Sequence, residues 1–311
     1  MGELRSLEVP APGPGQVRIR TMYTGVSRGT EALVFHGRIP PREQERMRGP
    51  HQDGSLALPV KYGYCLVGEV TEGDGVGRRV FCLHPHQTWA CVEASMATEL
   101  PDSLPPARAV LTANMETALN ATWDGGVSPG DRVVVVGGGV VGCLVAYLCG
   151  RIAGTEVQLV DVDPRRADVA SALGVEFAGP GAGWEDADVV FHASATSAGL
   201  QTAIDAAGLE ARVVEVSWYG DKEVSVQLGA QFHPGRLQII SSQVGRIPAS
   251  RAARWTYGRR LRVALQLLCD ERLEVLISGE SPFETMPAVM SRILAPATER
   301  SEPVLCHRIC Y

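Results

Sequence analysis

Short alternating runs of apolar and polar residues dominate the first 116 positions. Val17–Arg20 and Arg79–Cys82 are examples, and glycine and proline recur between such runs. Alternation with a period of two is typical of strands that bury one face, and glycine and proline mark the turns between them. The pattern therefore predicts a small β-barrel or sandwich over residues 1–116.

From about residue 117 the pattern changes to strands that alternate with helices. The apolar runs there are nearly continuous, as expected of parallel strands that helices cover on both faces. The predicted strands are Arg132–Val136, Glu156–Asp161, Asp188–His192, Arg212–Ser217 and Leu237–Ser241, and the predicted helices follow the glycines at 137–142 and occupy Pro164–Leu173 and Ala198–Ala207. This alternation predicts an α/β domain with a doubly wound parallel sheet over residues 117–245.

Residues 246–311 carry a different pattern again. Two helical stretches, Ala252–Leu268 and Met286–Leu294, precede a strand-like run from Val304 to Ile309. A strand that follows a finished parallel sheet is expected to return to the first domain. We therefore predict that residues 246–311 are a return segment that completes the domain formed by residues 1–116.

A glycine motif follows the first predicted parallel strand. Gly137, Gly139 and Gly142 form GxGxxG between a strand and a helix. Gly137 permits a tight turn, Gly139 lets the backbone approach a pyrophosphate, and Gly142 allows the helix to contact the strand closely. The free N–H groups at the start of the helix, at Val140 and Val141, favour an anion. The motif predicts a dinucleotide site; a glycine-rich turn without a ligand is the alternative.

Asp161 bears on the choice of dinucleotide. It follows Gly142 by 19 positions, at the end of the next predicted strand, where it can accept hydrogen bonds from the adenosine ribose hydroxyls. A carboxylate there repels a 2′-phosphate, so NAD(H) is favoured over NADP(H). Arg165 and Arg166 lie close behind and could offset the repulsion, which keeps NADP(H) possible. FAD is less expected, because the motif lies in the middle of the chain.

Composition adds mainly exclusions. A length of 311 residues suggests two domains at about 150 residues each. The chain is 45% hydrophobic and 21% charged, which is typical of a globular protein. A net charge of −6 provides no basic field for a nucleic-acid backbone. We therefore expect a small-molecule substrate and no nucleic-acid partner.

One segment has the length of a membrane span. Val133–Gly150 contains no charged residue over 18 positions, which is near the threshold for crossing a bilayer. Three glycines interrupt it, and its β-branched start differs from its helical remainder, so we predict a strand, a loop and a helix and no membrane contact. The chain starts without an apolar signal segment, and its eight cysteines form no CxxC pair. Reduced thiols in a cytoplasmic protein are expected.

Several segments together resemble the medium-chain dehydrogenase/reductase superfamily. They are residues 23–28, 58–70, 128–133, 188–194 and 212–217. The resemblance implies a GroES-like β-barrel domain joined to a Rossmann doubly wound parallel sheet domain, with the active site in the cleft between them. It implies hydride transfer between a nicotinamide and an alcohol/carbonyl pair. It also implies a homodimer, which would pair through the sheet edge near Leu237–Ser242.

The positions of the superfamily's catalytic zinc carry other residues in this chain. Ser27 stands at the first ligand cysteine, Tyr64 and Cys65 replace a His-Glu pair, and residues 112–114 contain no cysteine. The cysteine-rich lobe of the structural zinc is missing too. We therefore predict a zinc-independent member, similar to the bacteriochlorophyllide dehydrogenase-like and quinone oxidoreductase-like branches. An improvised site of Cys65, His84 and His86 is the alternative.

Without a metal, side chains must polarise the reacting oxygen and move its proton. The candidate catalytic residues are Tyr64, Ser27, Glu31, Glu116 and His192. Each also has a structural interpretation: a buried phenol, a small filler, an ion pair with Arg28, a charge at a helix N-terminus and a buried imidazole, respectively.

Strand ends and helix starts supply further candidate contacts to the coenzyme. They are Thr117, Ala193, Ser217 and Trp218, in addition to the glycine loop, Asp161 and Arg166. The arginines between 251 and 262 are predicted to form a solvated helix face and not a nucleic-acid patch. Two other functions stay open, namely reduction of an activated C=C bond and dinucleotide binding without catalysis.

Overall fold

A computed structural model of the chain describes residues 2–296 and 304–311. The chain divides into two compact units, Met1–Ala113 with Leu261–Tyr311, and Asn114–Arg260. The domain boundaries at 116 and 245 stay predictions, and the part of the return segment between 297 and 303 lies outside the described residues.

The first unit is built on a seven-stranded sheet. The strands of the first unit are β1 (Gln16–Val26), β2 (Asp53–Gly54), β3 (Val60–Lys61), β4 (Leu66–Glu72), β5 (Arg79–Cys82), β6 (Trp89–Glu93), β7 (Thr98–Glu99), β14 (Ile277–Pro282) and β15 (Cys306–Cys310). The helices of this unit include α1 (Arg28–Phe35) and α8 (Met286–Ile293). The order in the sheet is β14-β15-β1-β4-β5-β7, β6 pairs with β1, and β2 pairs with β3 separately. Strand β1 thus contacts three neighbours.

The alternation along β1 places its apolar side chains on the face that packs in the core. Val17 and Ile19 are buried, whereas the intervening Arg18 forms an ion pair with Glu72 on β4 at 2.7 Å. The inward residues of β1, β4, β5 and β6 form one apolar cluster. Because the side-chain period of a strand is two, this burial fixes the register of β1 against its neighbours.

The strand β15 pairs antiparallel with β1, with Thr24 opposite Ile309, and parallel with β14. Helix α8 packs beside this pairing through Met286, Val289 and Ile293, which share an apolar cluster with Ile309. Residues far apart in sequence therefore close the first unit.

The second unit is a six-stranded parallel sheet with helices. Its elements are α2 (Thr112–Gly125), β8 (Arg132–Val136), α3 (Val140–Cys149), β9 (Glu156–Val160), α4 (Arg166–Leu173), β10 (Glu176–Ala178), β11 (Ala187–His192), α5 (Ser197–Ala206), β12 (Ala207–Glu215), β13 (Gln238–Ser241), α6 (Ala249–Ala252) and α7 (Tyr257–Leu267), the first and last of which cross the unit boundaries. The strand order is β10-β9-β8-β11-β12-β13, and all pairs are parallel. The predicted doubly wound parallel sheet is confirmed.

The uncharged segment from Val133 to Gly150 folds as predicted, into β8, a glycine loop and α3. Within residues 2–296 and 304–311, no helix combines the length and apolarity needed to cross a bilayer. All eight cysteines are free thiols.

The predicted helix over Ala252–Leu268 is wrong in its first part. Helix α6 ends at Ala252, and α7 begins only at Tyr257. The hydroxyl of Thr256 accepts a hydrogen bond from the N–H of Arg259 at 3.2 Å, which is the arrangement of a helix N-cap. The polar cap therefore starts a new helix where periodicity alone suggested a continuous one.

Gly68 on β4 tests the packing of the barrel. An added Cβ would strike the carbonyl oxygen of Arg20 and lie 2.5 Å from Ile19 Cγ2. Because overpacking of a tight core costs about 1–3 kcal/mol, we expect Gly68→Ala to lower the thermal unfolding midpoint by several degrees, measured by circular dichroism.

Gly29 is the matched control, because an added Cβ there meets no atom within 4 Å and α1 gains helix propensity from alanine. Gly29→Ala should keep or raise the midpoint. Equal midpoints for both variants would contradict the tight approach at Gly68.

Candidate functional site

The glycine loop lies between β8 and α3. Gly137 has a φ of +110°, and a Cβ there would come 2.7 Å from the N atom of Ser194. A Cβ on Gly142 would strike the carbonyl oxygen of Gly137, whereas Gly139 has open space beside it. Gly137 and Gly142 are thus required by backbone contacts, and Gly139 leaves room for a ligand.

Helix α3 begins at Val140, directly after this loop. Gly139 is its N-cap and provides no side-chain hydrogen bond. The first N–H groups of a helix, here those of Val140 and Val141, suit a phosphate because they are aligned with the helix dipole. The loop therefore has the geometry that a dinucleotide pyrophosphate needs.

Asp161 follows β9 and holds the loop in place. Its Oδ2 accepts a hydrogen bond from Gly138 N at 2.6 Å, and its Oδ1 accepts one from Asp163 N at 2.8 Å. The guanidinium of Arg165 is paired with Asp163 at 2.7 Å, and Arg166 is buried at the start of α4. The carboxylate therefore faces the loop, while Arg165 is bound to a different acid.

A second polar cluster lies at the carboxyl ends of β11 and β12. His192 is fully buried, and its Nδ1 is 2.8 Å from Glu215 Oε2 while its Nε2 is 2.6 Å from Ser194 Oγ. Tyr219 OH and Ser217 N each donate to the Glu215 carboxylate at 2.8 Å. Burial raises the pKa of Glu215, but His192 above all, with the hydrogen bonds from Ser217 N and Tyr219 OH, brings it below its ordinary value. Glu215 is therefore an ionised acceptor.

Three of the remaining predicted coenzyme contacts, Ala193, Ser217 and Trp218, lie close to His192 or Glu215 in the sequence, and Thr117 lies on α2. Ala193 follows His192 and donates its N–H to Val136 O at 2.8 Å, and the hydroxyl of Ser217 accepts a hydrogen bond from Ala195 N at 3.1 Å. Trp218 follows Ser217 and is half-buried, as is Thr117 on α2. Their contacts with a coenzyme stay predictions.

Glu116 lies on α2 in a buried ion pair. Its Oε1 accepts a hydrogen bond from Arg260 Nε at 3.0 Å, and Arg260 Nη1 donates to Asn120 Oδ1 at 2.6 Å. Burial raises the pKa of Glu116, and Arg260 opposes that rise. The prediction of a solvated arginine face is therefore wrong for Arg260, which is 3% exposed. The catalytic role of Glu116 stays a prediction, but its carboxylate already neutralises a buried cation.

In the first unit, Glu31 lies at the centre of a buried hydrogen-bonded chain. Its Oε1 accepts from Ser27 N at 2.7 Å, and its Oε2 is 3.0 Å from His86 Nε2. His86 Nδ1 is 2.7 Å from the hydroxyl of Thr24, which is 3.1 Å from Tyr311 OH. Glu31 and His86 are 3% and 9% exposed. These hydrogen bonds thus link a buried acid and a buried imidazole to two hydroxyls.

Tyr64 joins this cluster from the segment before β4. Its ring is half-buried, and burial of its hydroxyl raises the pKa well above the ordinary value, although a hydrogen bond with Ser27 opposes the rise. Tyr64 is therefore a neutral phenol at all ordinary pH values. Ser27, Glu31 and Tyr64, three of the predicted catalytic residues, lie together.

Sequence reasoning missed the role of His86. The signal that could have found it is Gly63, whose φ is +120° and whose added Cβ would lie 2.6 Å from His86 Cδ2. Only a residue without a side chain leaves this space for the imidazole.

The side chains around Glu31 and His86 do not fit a zinc ion. Both carboxylate oxygens of Glu31 and both ring nitrogens of His86 already have partners. His84 stacks on His51 with ring centroids 4.9 Å apart. Within the described ranges, 2–296 and 304–311, no group of three or more His, Cys, Asp or Glu could hold a metal ion. The improvised site of Cys65, His84 and His86 is therefore not formed.

Known proteins resemble the chain along most of its length. (R,R)-Butanediol dehydrogenase of Bacillus subtilis (strain 168) is 25% identical over 76% of this chain and 78% of that protein. A Sinorhizobium meliloti 1021 protein described as a zinc-binding dehydrogenase, solved with NADP, has a TM-score of 0.77 and 18% identity, and the match covers 99% of this chain and 95% of that one. No family model matches the chain.

A third similar protein is a short chain alcohol dehydrogenase of Escherichia coli CFT073, solved with NADH. Its TM-score is 0.73 at 18% identity, and the match covers 98% of this chain and 94% of that one. All three similar proteins are described as dehydrogenases, and these comparisons support the predicted resemblance to the medium-chain dehydrogenase/reductase superfamily.

The likeness to these solved structures confirms the predicted fold class, a GroES-like β-barrel domain with a Rossmann doubly wound parallel sheet domain. The comparisons do not support the zinc-independent branch of the superfamily, since one similar protein is described as zinc-binding.

His84 gives the first unit a defined pH dependence. Burial lowers the pKa of His84 from 6.5 to about 4, so between these values the unfolded chain binds a proton that the folded chain does not. The free energy of unfolding should therefore rise by about 3 kcal/mol as the pH increases across this window. Urea unfolding at pH 4.5, 5.5 and 7 measures it.

His84→Asn should flatten this dependence, and His36→Asn, at an exposed position, should retain it. Parallel pH curves for wild type and His84→Asn would show that the imidazole of His84 is not the group responsible.

Proposed function

We propose that the chain is a nicotinamide-dependent oxidoreductase that transfers hydride between NAD(H) and an alcohol/carbonyl substrate without a catalytic zinc. The observation that carries the proposal is the glycine loop at the start of α3, which Asp161 holds by a 2.6 Å hydrogen bond from Gly138 N. Ligands bind at the carboxyl edge of such parallel sheets. The similar butanediol dehydrogenase and NADH-bound alcohol dehydrogenase favour an alcohol substrate.

The preference for NAD(H) over NADP(H) rests on charge near the end of β9. Asp161 is an acid at the position that contacts the adenosine ribose in this fold, and a 2′-phosphate there would meet its negative charge. Arg165 is held by Asp163 through two nitrogens, at 2.7 and 3.0 Å. Releasing Arg165 to a phosphate would break that bidentate pair. One similar structure contains NADP, so the test below includes both coenzymes.

The coenzyme supplies the hydride acceptor or donor, and the first unit's side chains supply the proton chemistry. Tyr64 keeps its proton, so its hydroxyl donates a hydrogen bond to the substrate oxygen, and Ser27 orients that oxygen beside it. Glu31, which accepts a hydrogen bond from Ser27 N and lies 3.0 Å from His86 Nε2, is proposed as the general base that takes the hydroxyl proton of an alcohol as its hydride leaves and returns it in the reverse reaction. The buried cluster thus replaces the polarising role that a metal would have.

The residues at the strand ends of the second unit complete the proposal. Ala193, Ser217, Trp218 and Thr117 are proposed to contact the nicotinamide half of the coenzyme, and His192 to order that edge through Glu215. The regular hydrogen bonding of this edge supports a pre-formed ligand site.

Coenzyme titration tests the first part of the proposal. Addition of the wild-type protein should increase or shift the fluorescence of the reduced nicotinamide. This change should be larger with NADH than with NADPH. Asp161→Ser should weaken NADH binding by about tenfold, because charge-assisted hydrogen bonds to the ribose are lost, and should narrow the difference between the coenzymes. Asp168→Asn, at an exposed acid of α4, is the matched control. If neither coenzyme binds at millimolar concentration, the proposal is wrong.

Turnover tests the second part. In a screen of alcohols, aldehydes and enones, Glu31→Gln should lower kcat by about 100-fold, the usual contribution of an acid–base group, with the Kd for NADH unchanged. Glu45→Gln, at an exposed position, should keep full activity. Metal analysis should find less than stoichiometric zinc, and a chelator should leave turnover intact. Loss of turnover on chelation, or activity on enones alone, would contradict the mechanism.

A further inference from the structure

Three side chains at the carboxyl ends of β11 and β12 have the arrangement of a hydrolase triad. Ser194 Oγ lies 2.6 Å from His192 Nε2, and the other ring nitrogen, Nδ1, lies 2.8 Å from Glu215 Oε2. A nucleophile within hydrogen-bond reach of a base, with the base oriented by a third group, is the signature of nucleophilic catalysis. The oxidoreductase chemistry proposed above does not require a serine at this place.

The donors around Glu215 fix the direction of every bond in this triad. Glu215 is a carboxylate that accepts from Tyr219 OH and Ser217 N, so His192 donates its Nδ1–H to it. In the neutral imidazole the other nitrogen, Nε2, is then an acceptor. Ser194 must donate its hydroxyl proton to Nε2. This is the polarity in which an imidazole acts as a general base toward a serine.

The surroundings of Ser194 leave the residue partly open to solvent. Thr196 lies 3.0 Å from Ser194 Oγ and accepts a hydrogen bond from Gly199 N with its own hydroxyl oxygen, so its proton is directed at Ser194. One lone pair of Ser194 Oγ remains without a role in these bonds. Ser194 is partly exposed, whereas His192 is fully buried. The base is thus shielded from water and the nucleophile is not.

A tight contact and an unusual backbone conformation hold Ser194 in place. Ser194 Oγ lies against Gly199 in the first turn of α5, where an added Cβ would strike it. Ala195, directly after Ser194, has a φ of +53°, a conformation that non-glycine residues adopt at a cost of about 1 kcal/mol or more. The ten-residue helix α5 begins at Ser197, three positions after Ser194.

We propose that Ser194 is an activated nucleophile that accepts acyl groups from activated esters, which gives the second unit an esterase-type activity. His192 is the general base, and Glu215 is a positioning residue that fixes the tautomer of His192. The activity requires no coenzyme, so its failure and the failure of the oxidoreductase proposal are separate outcomes.

The reaction balances without any redox partner. The Ser194 hydroxyl proton passes to His192 Nε2 as Oγ forms a bond with the ester carbonyl carbon. The bond between that carbon and the leaving oxygen then breaks, and the leaving alcohol or phenol takes the proton from His192. Water repeats the sequence on the acyl-serine, releases the carboxylic acid and restores the hydroxyl.

A fluorophosphonate probe and p-nitrophenyl acetate test the proposal on the whole chain without coenzyme. The probe should label one site, and mass spectrometry of the peptides should place it at Ser194. The burst of p-nitrophenolate should fall by about 100-fold in Ser194→Ala and in His192→Gln, since a general base contributes at least that factor. Ser171→Ala, at an exposed serine of α4, should keep the wild-type burst and labelling.

The role of Glu215 is tested in Glu215→Gln by a measurement that would not change if the residue were merely structural. Loss of the carboxylate removes a negative charge from beside His192, so the midpoint of the pH profile of labelling should move to lower pH, and Glu215→Asp should restore it. An unchanged midpoint would remove Glu215 from the proposal.

Absence of labelling at Ser194 in the wild type, or equal labelling in His192→Gln, would overturn the proposal. If Ser194→Ala does not fold by circular dichroism, Ser194→Cys takes its place. A thiol there should react with iodoacetamide at least tenfold faster than the thiol of Ser171→Cys, and equal rates would also overturn it.

Discussion

A carboxylate that accepts a backbone N–H fixes the shape of three polar clusters in the described part of the chain. Asp161 accepts from Gly138, Glu31 from Ser27, and Glu215 from Ser217. Bonds of this kind are shorter and about twice as strong as neutral ones, and each ties a side chain of one element to the backbone of a loop. The loops that would hold coenzyme and substrate are therefore ordered before any ligand arrives, which reduces the entropy that binding must overcome.

Most of the fold could be predicted because its signals are local. The uninterrupted valines of β8 and the alternation in β1 each reflect which faces are covered, and the glycine loop between β8 and α3 has backbone contacts that only glycine permits. The break before α7 was missed because helical periodicity continues through it. Residues 253–256 separate the two helices, and the N-cap hydrogen bond at Thr256 leaves little trace in the apolar pattern.

Several residues of the candidate site could be predicted from the sequence, but the contacts that pair them could not. Glu31 and Tyr64 stood out because they occupy positions of a resembling family, whereas His86 pairs with Glu31 across 55 residues. Arg260 looked solvated because its helix is rich in arginine, yet it reaches a carboxylate 144 residues away. A sequence pattern reports the burial of an apolar face well. It carries no signal for which distant charge compensates a polar group inside that face.

The pairing of β1 with β15 has a consequence for the order of assembly. The second unit is continuous in sequence, from Asn114 to Arg260, whereas the first combines residues from both sides of it. A ribosome releases residues in order, and domains fold as units when they emerge. The parallel sheet can therefore mature while β1 still lacks one neighbour, and the hydroxyl of Tyr311 reaches Thr24 only afterwards. The nascent chain can therefore complete its parallel-sheet unit before Tyr311, the last member of the hydrogen-bonded cluster around Glu31 and His86, is available.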